Sequence, residues 1–465
     1  MIMANPSLAE YLAQSQRGMY QSVFGPDFLQ KGVFTVDTAT GIFNTTYGRK
    51  VWQALNNQTR FFNAIPRVVW GNTAGWRVRS DRGSNRSRPV TETGSLPTVD
   101  VSQIEQISSL PRIVATTFGA SVKSVFTAQM EGGIGDVLAM ENEHAQLDHI
   151  KEVNEELLAG GAYLVSAGST TSFTVPAAIA KHFKTGDKIM AYDNTGTDWI
   201  NATAATASIV ASVNTTTGVV TMSTAGSDPA FSAAIADDDG VAVLARGGLT
   251  SIDDVVAEDG MAFGGLPVAA NANFAGNGGV RAYDLTVGGR VAGGWNAGAS
   301  VSYNGGTGRD LSLNLLDTAI QKVRENGGEP KLILMGHDQY FKLERLLNSQ
   351  QRYMGQEEYQ VGIGSERTFP GTRTGLVLAT YMGIPIMPDV DVAKSVSSTN
   401  AVLGSNIYVL DTDYIETAIA QPTQYIENRD YFAADQLIVR GLLYTMGEMR
   451  GKNIWVQAKI ADLNA

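Results

Sequence analysis

Cysteine is absent from the 465 residues. That removes disulfides, thiolate nucleophiles, Cys-ligated zinc and iron–sulfur clusters together. Stability must then come from burial and from contacts between subunits. Histidine is scarce, with four in the whole chain, and proline is modest at 14. No apolar run approaches the length of a membrane span. The first residues, MIMANPSLAEYL, lack the basic and apolar stretches of a secretory signal. The chain is therefore expected to be made and used, or assembled, in a cytosol. Charge is sparse and of one dominant sign: 46 acidic against 35 basic residues, a net −11 and a pI of about 5.0. Affinity for phosphate needs clustered Lys and Arg, so a net anion is a poor general nucleic-acid binder. It can still border or enclose nucleic acid without gripping it.

What is present reads as globular. Apolar residues make up 43 % and charged residues 17 %, and the length allows two or three domains. Fifty glycines point to many turns and a strong β component. Ser7 and Glu10 stand at capping-box spacing and predict a short N-terminal helix. A second helix is expected over 47–65, with Val51, Leu55 and Phe62 on one side and Pro66 as its stop. Residues 67–128 carry strand-like text, VVWG, GWRVRS and PRIVATTF, around a polar stretch punctuated by Gly, Ser and Pro. A two-stranded excursion of that kind is marginal alone and is expected to lie on a partner. Residues 134–159 predict a long helix. Thr-, Ser- and Ala-rich short strands fill 161–265, with turn signals at Asp193–Gly196 and Asn214–Gly218, and predict a small all-β barrel or sandwich. Alternating helix and strand text resumes at 310. There Asp310 is expected to cap a helix bearing Leu313, Leu316, Ile320 and Val323, with Gly327 past its end.

The search for chemistry returns little. There is no phosphate-binding G-x-x-x-x-G-K-[ST], no G-x-S-x-G and no H-E-x-x-H. Gly133-Ile-Gly135 and Gly306-Thr-Gly308 each lack the third glycine of a dinucleotide fingerprint. Glu141 and His144 make a Glu-x-x-His spacing, which on a helix stacks a carboxylate over an imidazole, as in carboxylate-bridged metal sites. A helical projection at about 100° per residue puts Met140, Leu147, Ile150, Val153, Leu157 and Leu158 on one stripe. Glu141, Asp148, Glu152, Glu155 and Glu156 fall on the other side, whereas bundle metal sites point inward. A solvated or partner-facing polar side is the plainer account. His144 and His149 are expected at the surface or in subunit contacts, His182 in a turn and His337 near a helix start. Neither catalytic residues nor a metal or other cofactor are expected.

Arg77, Arg79, Arg82, Arg86 and Arg88 face only Asp81 in their stretch. They read as a solvated loop, as a nucleic-acid contact short of interleaved aromatics, or as a docking surface for acidic residues of another subunit. The long helix supplies such residues: Glu131, Asp136, Glu141, Glu143, Asp148, Glu152, Glu155 and Glu156 against Lys151. A basic arm and an acidic helix in one chain are complementary between copies.

The order of parts, with the run DLSLNLLDTAIQKVRENGGEPKLILMGHDQYFKLERLL over 310–347 and then GIPIMPDVDV and NIYVLD, resembles the major capsid proteins of tailed double-stranded DNA viruses. That family has the Hong Kong 97-like α+β fold. The resemblance implies an N-terminal arm with helices at 1–66, an E-loop hairpin at 67–128 and the spine helix of the peripheral domain at 129–160. It implies a return to the peripheral domain at 266–306, the axial domain at 307–420 and C-terminal peripheral strands at 421–465. The β-domain at 161–265 is an addition to the minimal fold. The resemblance also implies self-assembly into hexamers and pentamers of an icosahedral shell around DNA, with a portal and scaffolding or decoration proteins as partners. The expected location is the virion, after assembly in the host cytoplasm, without a membrane. An encapsulin-like compartment, a carboxylate-bridged metalloenzyme on Glu141 and His144, and a secreted adhesin are the alternatives. The residues expected at the subunit interface are the five arginines with Glu141, Asp148, Glu152 and Glu155.

Overall fold

Short apolar runs cut by glycine become strands, and helices form where apolar residues recur three and four apart. The computed structural model describes residues 60–70, 75–81, 89–97, 103–108, 110–128, 137–166, 168–192, 200, 208–224, 231, 233–237, 239–256, 280–281, 285–286, 300–348, 357–360, 368–371, 380–428 and 437–465. The capping box at Ser7, the start of the helix expected at 47–65, the turn at Asp193–Gly196, and Arg82, Arg86 and Arg88 lie outside these residues.

In chain order, the first elements are α1 (Arg60–Ala64), β1 (Arg67–Val69), β2 (Gly75–Asp81), β3 (Gln103–Ser108), β4 (Arg112–Ser121), α2 (Val122–Ala128) and α3 (Val137–Leu157). Then come β5 (Ala162–Leu164), β6 (Ser172–Thr174), α4 (Ala177–Ala180), β7 (Lys188–Tyr192), β8 (Ser208–Asn214), β9 (Val219–Met222), β10 (Gly240–Ala245) and α5 (Ile252–Val255). The pair β11 (Val280–Arg281) and β12 (Leu285–Thr286) precedes β13 (Ser300–Ser302), α6 (Leu313–Glu325), β14 (Leu332–Met335) and α7 (His337–Asn348). The remainder is β15 (Glu357–Gln360), β16 (Thr368–Gly371), β17 (Thr380–Tyr381), β18 (Ile384–Pro388), β19 (Lys394–Val396), β20 (Val402–Ser405), β21 (Ile407–Leu410), β22 (Ile415–Asn428), β23 (Ile438–Gly451) and β24 (Ala458–Ile460).

The chain divides into two compact units. One gathers the described residues of 113–152 and 421–446, the other those of 58–112, 153–420 and 447–465. In the first unit β4, β23 and β22 are sheet neighbours in that order. Phe118 of β4 stacks on Tyr425 of β22 at 5.9 Å between centroids. The greater part of α3 belongs here, and His149 ties it to the sheet. Its Nδ1 lies 2.9 Å from Thr116 Oγ1 and its Nε2 2.7 Å from Thr445 Oγ1. His149 is therefore buried, not at the surface as its sequence context suggests. Ile150, expected on the apolar stripe, is 37 % exposed instead. Threonines on the sheet accommodate an imidazole better than an aliphatic side chain, so hydrogen bonding rotates the buried face.

In the second unit, β2 and β3 form an isolated antiparallel hairpin. β1 pairs in parallel with the start of β22, Val68 opposite Ala418. Residues 162–245 build a closed β ring. The strand order is β5-β10-β7-β8-β9-β6, every neighbouring pair antiparallel. A bridge between Ser166, just past β5, and Thr174 of β6 joins the two ends. The interior of the ring is apolar: Phe173 meets Phe183 edge-on at 5.5 Å among Ile179, Ile189, Val220 and Val241.

A second six-stranded sheet runs β13-β24-β21-β14-β18-β17. β14 is buried on both faces, as its unbroken apolar text requires. Leu316, Ile320 and Val323 of α6 pack against Ile333, Ile407, Val409 and Ile460. The cap of α6 differs from expectation. Ser312, not Asp310, accepts the amide of Leu315, while Asp310 accepts from the Asn464 side chain at 2.7 Å. Two residues of extended chain separate Asp310 from the first helical turn, too far for its carboxylate to reach those amides. Gly327 follows the helix at φ +86°, the left-handed stop that glycine permits.

Candidate assembly interface

A hairpin of two strands has no second layer to cover it, and its side chains show that. Arg77 and Arg79 are exposed on β2, two residues apart and so on one face. Arg79 lies opposite Ile104 of β3, which is 62 % exposed. Val69 (83 %) and Leu110 (68 %) before and after the hairpin, and Leu96 (80 %) between its strands in sequence, are also exposed. Leaving several large aliphatic side chains in water forgoes about 1.5–3 kcal/mol each relative to full burial. Val69, Leu96, Ile104 and Leu110 are thus apolar side chains available for contact.

The acidic set is on α3, a helix about 30 Å long. Glu141, Asp148, Glu152 and Glu155 are seven, four and three residues apart, which aligns them along one side of the helix. Asp148 is exposed, and Glu141 and Glu152 are half-buried. Burial pushes the Glu141 carboxyl up; the charge of His144 opposes the rise and that of Asp148 adds to it. Glu155 is already engaged: Lys181 stands 3.0 Å from it. Glu156 accepts the amide of Leu249 at 2.9 Å, so the end of the helix turns its carboxylates toward its own chain. Asp148 is thus the exposed member of the set, with Glu141 and Glu152 half-covered. Among the described residues, no group of three or more His, Asp or Glu is placed to hold a metal ion. No helix among them is long and apolar enough to cross a membrane.

Burial lowers the pKa of His149, with Glu152 acting against it. His182 sits in the turn after α4, and there it is buried rather than wet. His337 opens α7 as its first helical residue, and Asp338 beside it accepts the Ser405 amide. The cluster of charge that reading the sequence overlooks is buried: Arg246, Asp187, Asp253, Asp254 and Lys459. Only Ser251-Ile-Asp-Asp254, at capping-box spacing, hinted at order there. Both halves of that box form.

A family model described as SU10 major capsid protein matches residues 32–430. No curated protein sequence matches the chain. Among solved structures, the cyanophage A-1(L) capsid asymmetric unit is similar at 10% identity and a TM-score of 0.50, covering 90% of this chain and 96% of that one. Gordonia phage Cozz is similar at 10% identity and 0.41, covering 90% of each. The holo-SrpI encapsulin complex from Synechococcus elongatus PCC 7942 is similar at 9% and 0.37, covering 89% of this chain and 91% of that one.

Proposed function

The chain belongs to the SU10 major capsid protein family, and from that premise we propose how it builds its shell. It is a major capsid protein of a tailed phage with the Hong Kong 97-like fold, and its work is structural: copies of it assemble into the capsid of the virion. The finer proposal is an icosahedral shell of hexamers and pentamers that encloses packaged double-stranded DNA. It is assembled in the host cytoplasm, with a portal and scaffolding or decoration proteins as partners. The net charge of −11 suits a wall that borders DNA without binding it. The observation that carries this reading is the family match across 32–430.

Within that shell we assign 67–128 to the E-loop, 129–160 to the spine helix, 161–265 to an inserted β-domain and 307–420 to the axial domain. Residues 1–66, 266–306 and 421–465 then supply the arm and the rest of the peripheral domain. The arginines of the E-loop, Arg77 and Arg79 together with Arg82, Arg86 and Arg88, dock on the acidic side of a neighbouring spine helix, at Glu141, Asp148 and Glu152. Support comes from the opposite charges and from the exposed Ile104 opposite Arg79. Electron microscopy of the expressed protein tests the shell: closed particles with capsomers are expected. Small monodisperse oligomers under all assembly conditions would overturn it.

A further inference from the structure

Two glycine pairs, Gly160-Gly161 and Gly247-Gly248, flank the β ring where the chain enters and leaves it. As text they read as hinges on which a surface domain swings. Their surroundings are the opposite of a hinge. Gly160 donates its amide to His182 Nδ1 at 3.2 Å, Gly161 to Asp253 Oδ2 at 2.6 Å, and Gly247 to Asp187 Oδ1 at 2.7 Å. A Cβ on Gly160 would lie 1.8 Å from the Tyr163 hydroxyl, and one on Gly247 would lie 2.6 Å from the Thr185 carbonyl. Glycine at these positions of the ingoing and outgoing segments leaves room for the Tyr163 ring and for the Thr185 carbonyl.

What fills the space between them is a buried guanidinium. Arg246 Nε donates to Asp254 Oδ2 at 2.8 Å, and Nη2 to Asp254 Oδ1 at 3.2 Å. Nη2 also donates to the Gly160 carbonyl. Nη1 donates to the His182 carbonyl at 2.6 Å and stands 3.7 Å from Asp187 Oδ2. The guanidinium thus makes four hydrogen bonds and one further ion pair, with partners spread over the ingoing segment, the ring and the outgoing segment. The next carboxylate along, Asp253, reaches the neighbouring sheet. It lies 2.5 Å from Lys459 Nζ of β24 and accepts from Tyr408 of β21 at 2.6 Å. Lys459 and Asp253 hold each other charged. The nearby acid raises the lysine, and the lysine with its hydrogen bonds outweighs the burial that would raise the aspartate. Burial, with Lys181 and Arg246 adding to it, lowers His182 to about 3, so its Nδ1 remains the acceptor that Gly160 needs.

We propose that Arg246 and Asp253 form a charged clamp that locks the inserted β-domain to the β13–β17 sheet, so that the two move as one body and the glycine pairs are close-packing sites, not hinges. Buried ion pairs add little net stability, because desolvation offsets their attraction. What four directed hydrogen bonds do fix is orientation. A domain carried this way keeps one attitude relative to the sheet that bears it, and anything it displays keeps one position.

Hydrogen exchange on the full-length protein tests this without any mutation. Peptides covering 158–165 and 244–252 are expected to exchange as slowly as those covering β14 and β21. Exchange there at the rate of an open loop would overturn the clamp. Arg246→Lys keeps the charge but loses the fork. It is expected to speed exchange at both glycine pairs by about tenfold or more, while β8 and β9 remain protected. Unchanged exchange in the variant would remove Arg246 as the hub. If the variant does not fold, the wild-type measurement decides alone.

Discussion

Glu448 is a buried carboxylate with unequal partners. Its Oε1 accepts the amides of Thr250 and Met449, at 2.8 and 3.0 Å, while Arg112 stands 3.8 Å from Oε2. Burial dominates and raises it to about 7, against the hydrogen bonds and Arg112, which lower it. The folded chain thus binds this proton more tightly than the unfolded one. The contribution to stability is complete below the ordinary value of 4.5 and is lost as pH rises through about 7. Glu448→Gln, which copies the protonated form and keeps Oε1 as an acceptor, is expected to gain up to about 3 kcal/mol at pH about 8 and little at pH about 4. Denaturant midpoints of the unassembled protein at the two pH values check it. An equal effect at both would mean that the carboxylate is not titrating in this window.

Among elements, α6 shows how local rules and tertiary contacts divide the work. Its apolar spacing fixes which face is buried, and Leu316, Ile320 and Val323 lie on that face. Its start depends on which side chain reaches the first free amides, and Ser312 does so at 3.3 Å. Ser312→Ala is expected to cost about 1 kcal/mol, with Ser312→Asp recovering most of it; unfolding midpoints of the three proteins read the difference. Asp310→Ala should leave that helix start intact. Helix α3 teaches a different lesson. Its span, 137–157 within the expected 134–159, is legible from periodicity. Its buried face is not, because the hydrophobic pattern contains no sign that Thr116 and Thr445 wait for His149. A polar residue becomes buried when its partners come from strands distant in sequence.

At the scale of the whole molecule, the proposed contact between copies would cover Val69, Leu96, Ile104 and Leu110, which the subunit leaves exposed. Arg77→Glu with Arg79→Glu is expected to block or slow shell formation while leaving the unassembled chain folded. Arg77 and Arg79 are exposed, so their replacement disturbs no core. Adding Glu141→Lys and Asp148→Lys should restore assembly in part, and sedimentation would show it. Assembly by the arginine variant at the wild-type rate would reject the arm-to-helix contact. The contact should also weaken with salt, since the charges involved lie near the surface.

The sequence by itself determined the class of molecule: a Cys-free acidic chain, a thin basic arm, a long helix, short strands over 161–265 and an α/β run whose text resembled a capsid protein. Each of these rests on composition or short-range periodicity, which a chain carries without folding. Tertiary structure alone decided that the strands from β5 to β10 close into a ring, that His149 is inside, and that Glu155 belongs to Lys181. It also decided that Arg246 and Asp253, which are close in sequence, share one dry cluster with the distant Lys459. The physical reason is the same in each case. Burial of a polar group is favourable only when its partners arrive together, and that depends on which segments the fold brings side by side.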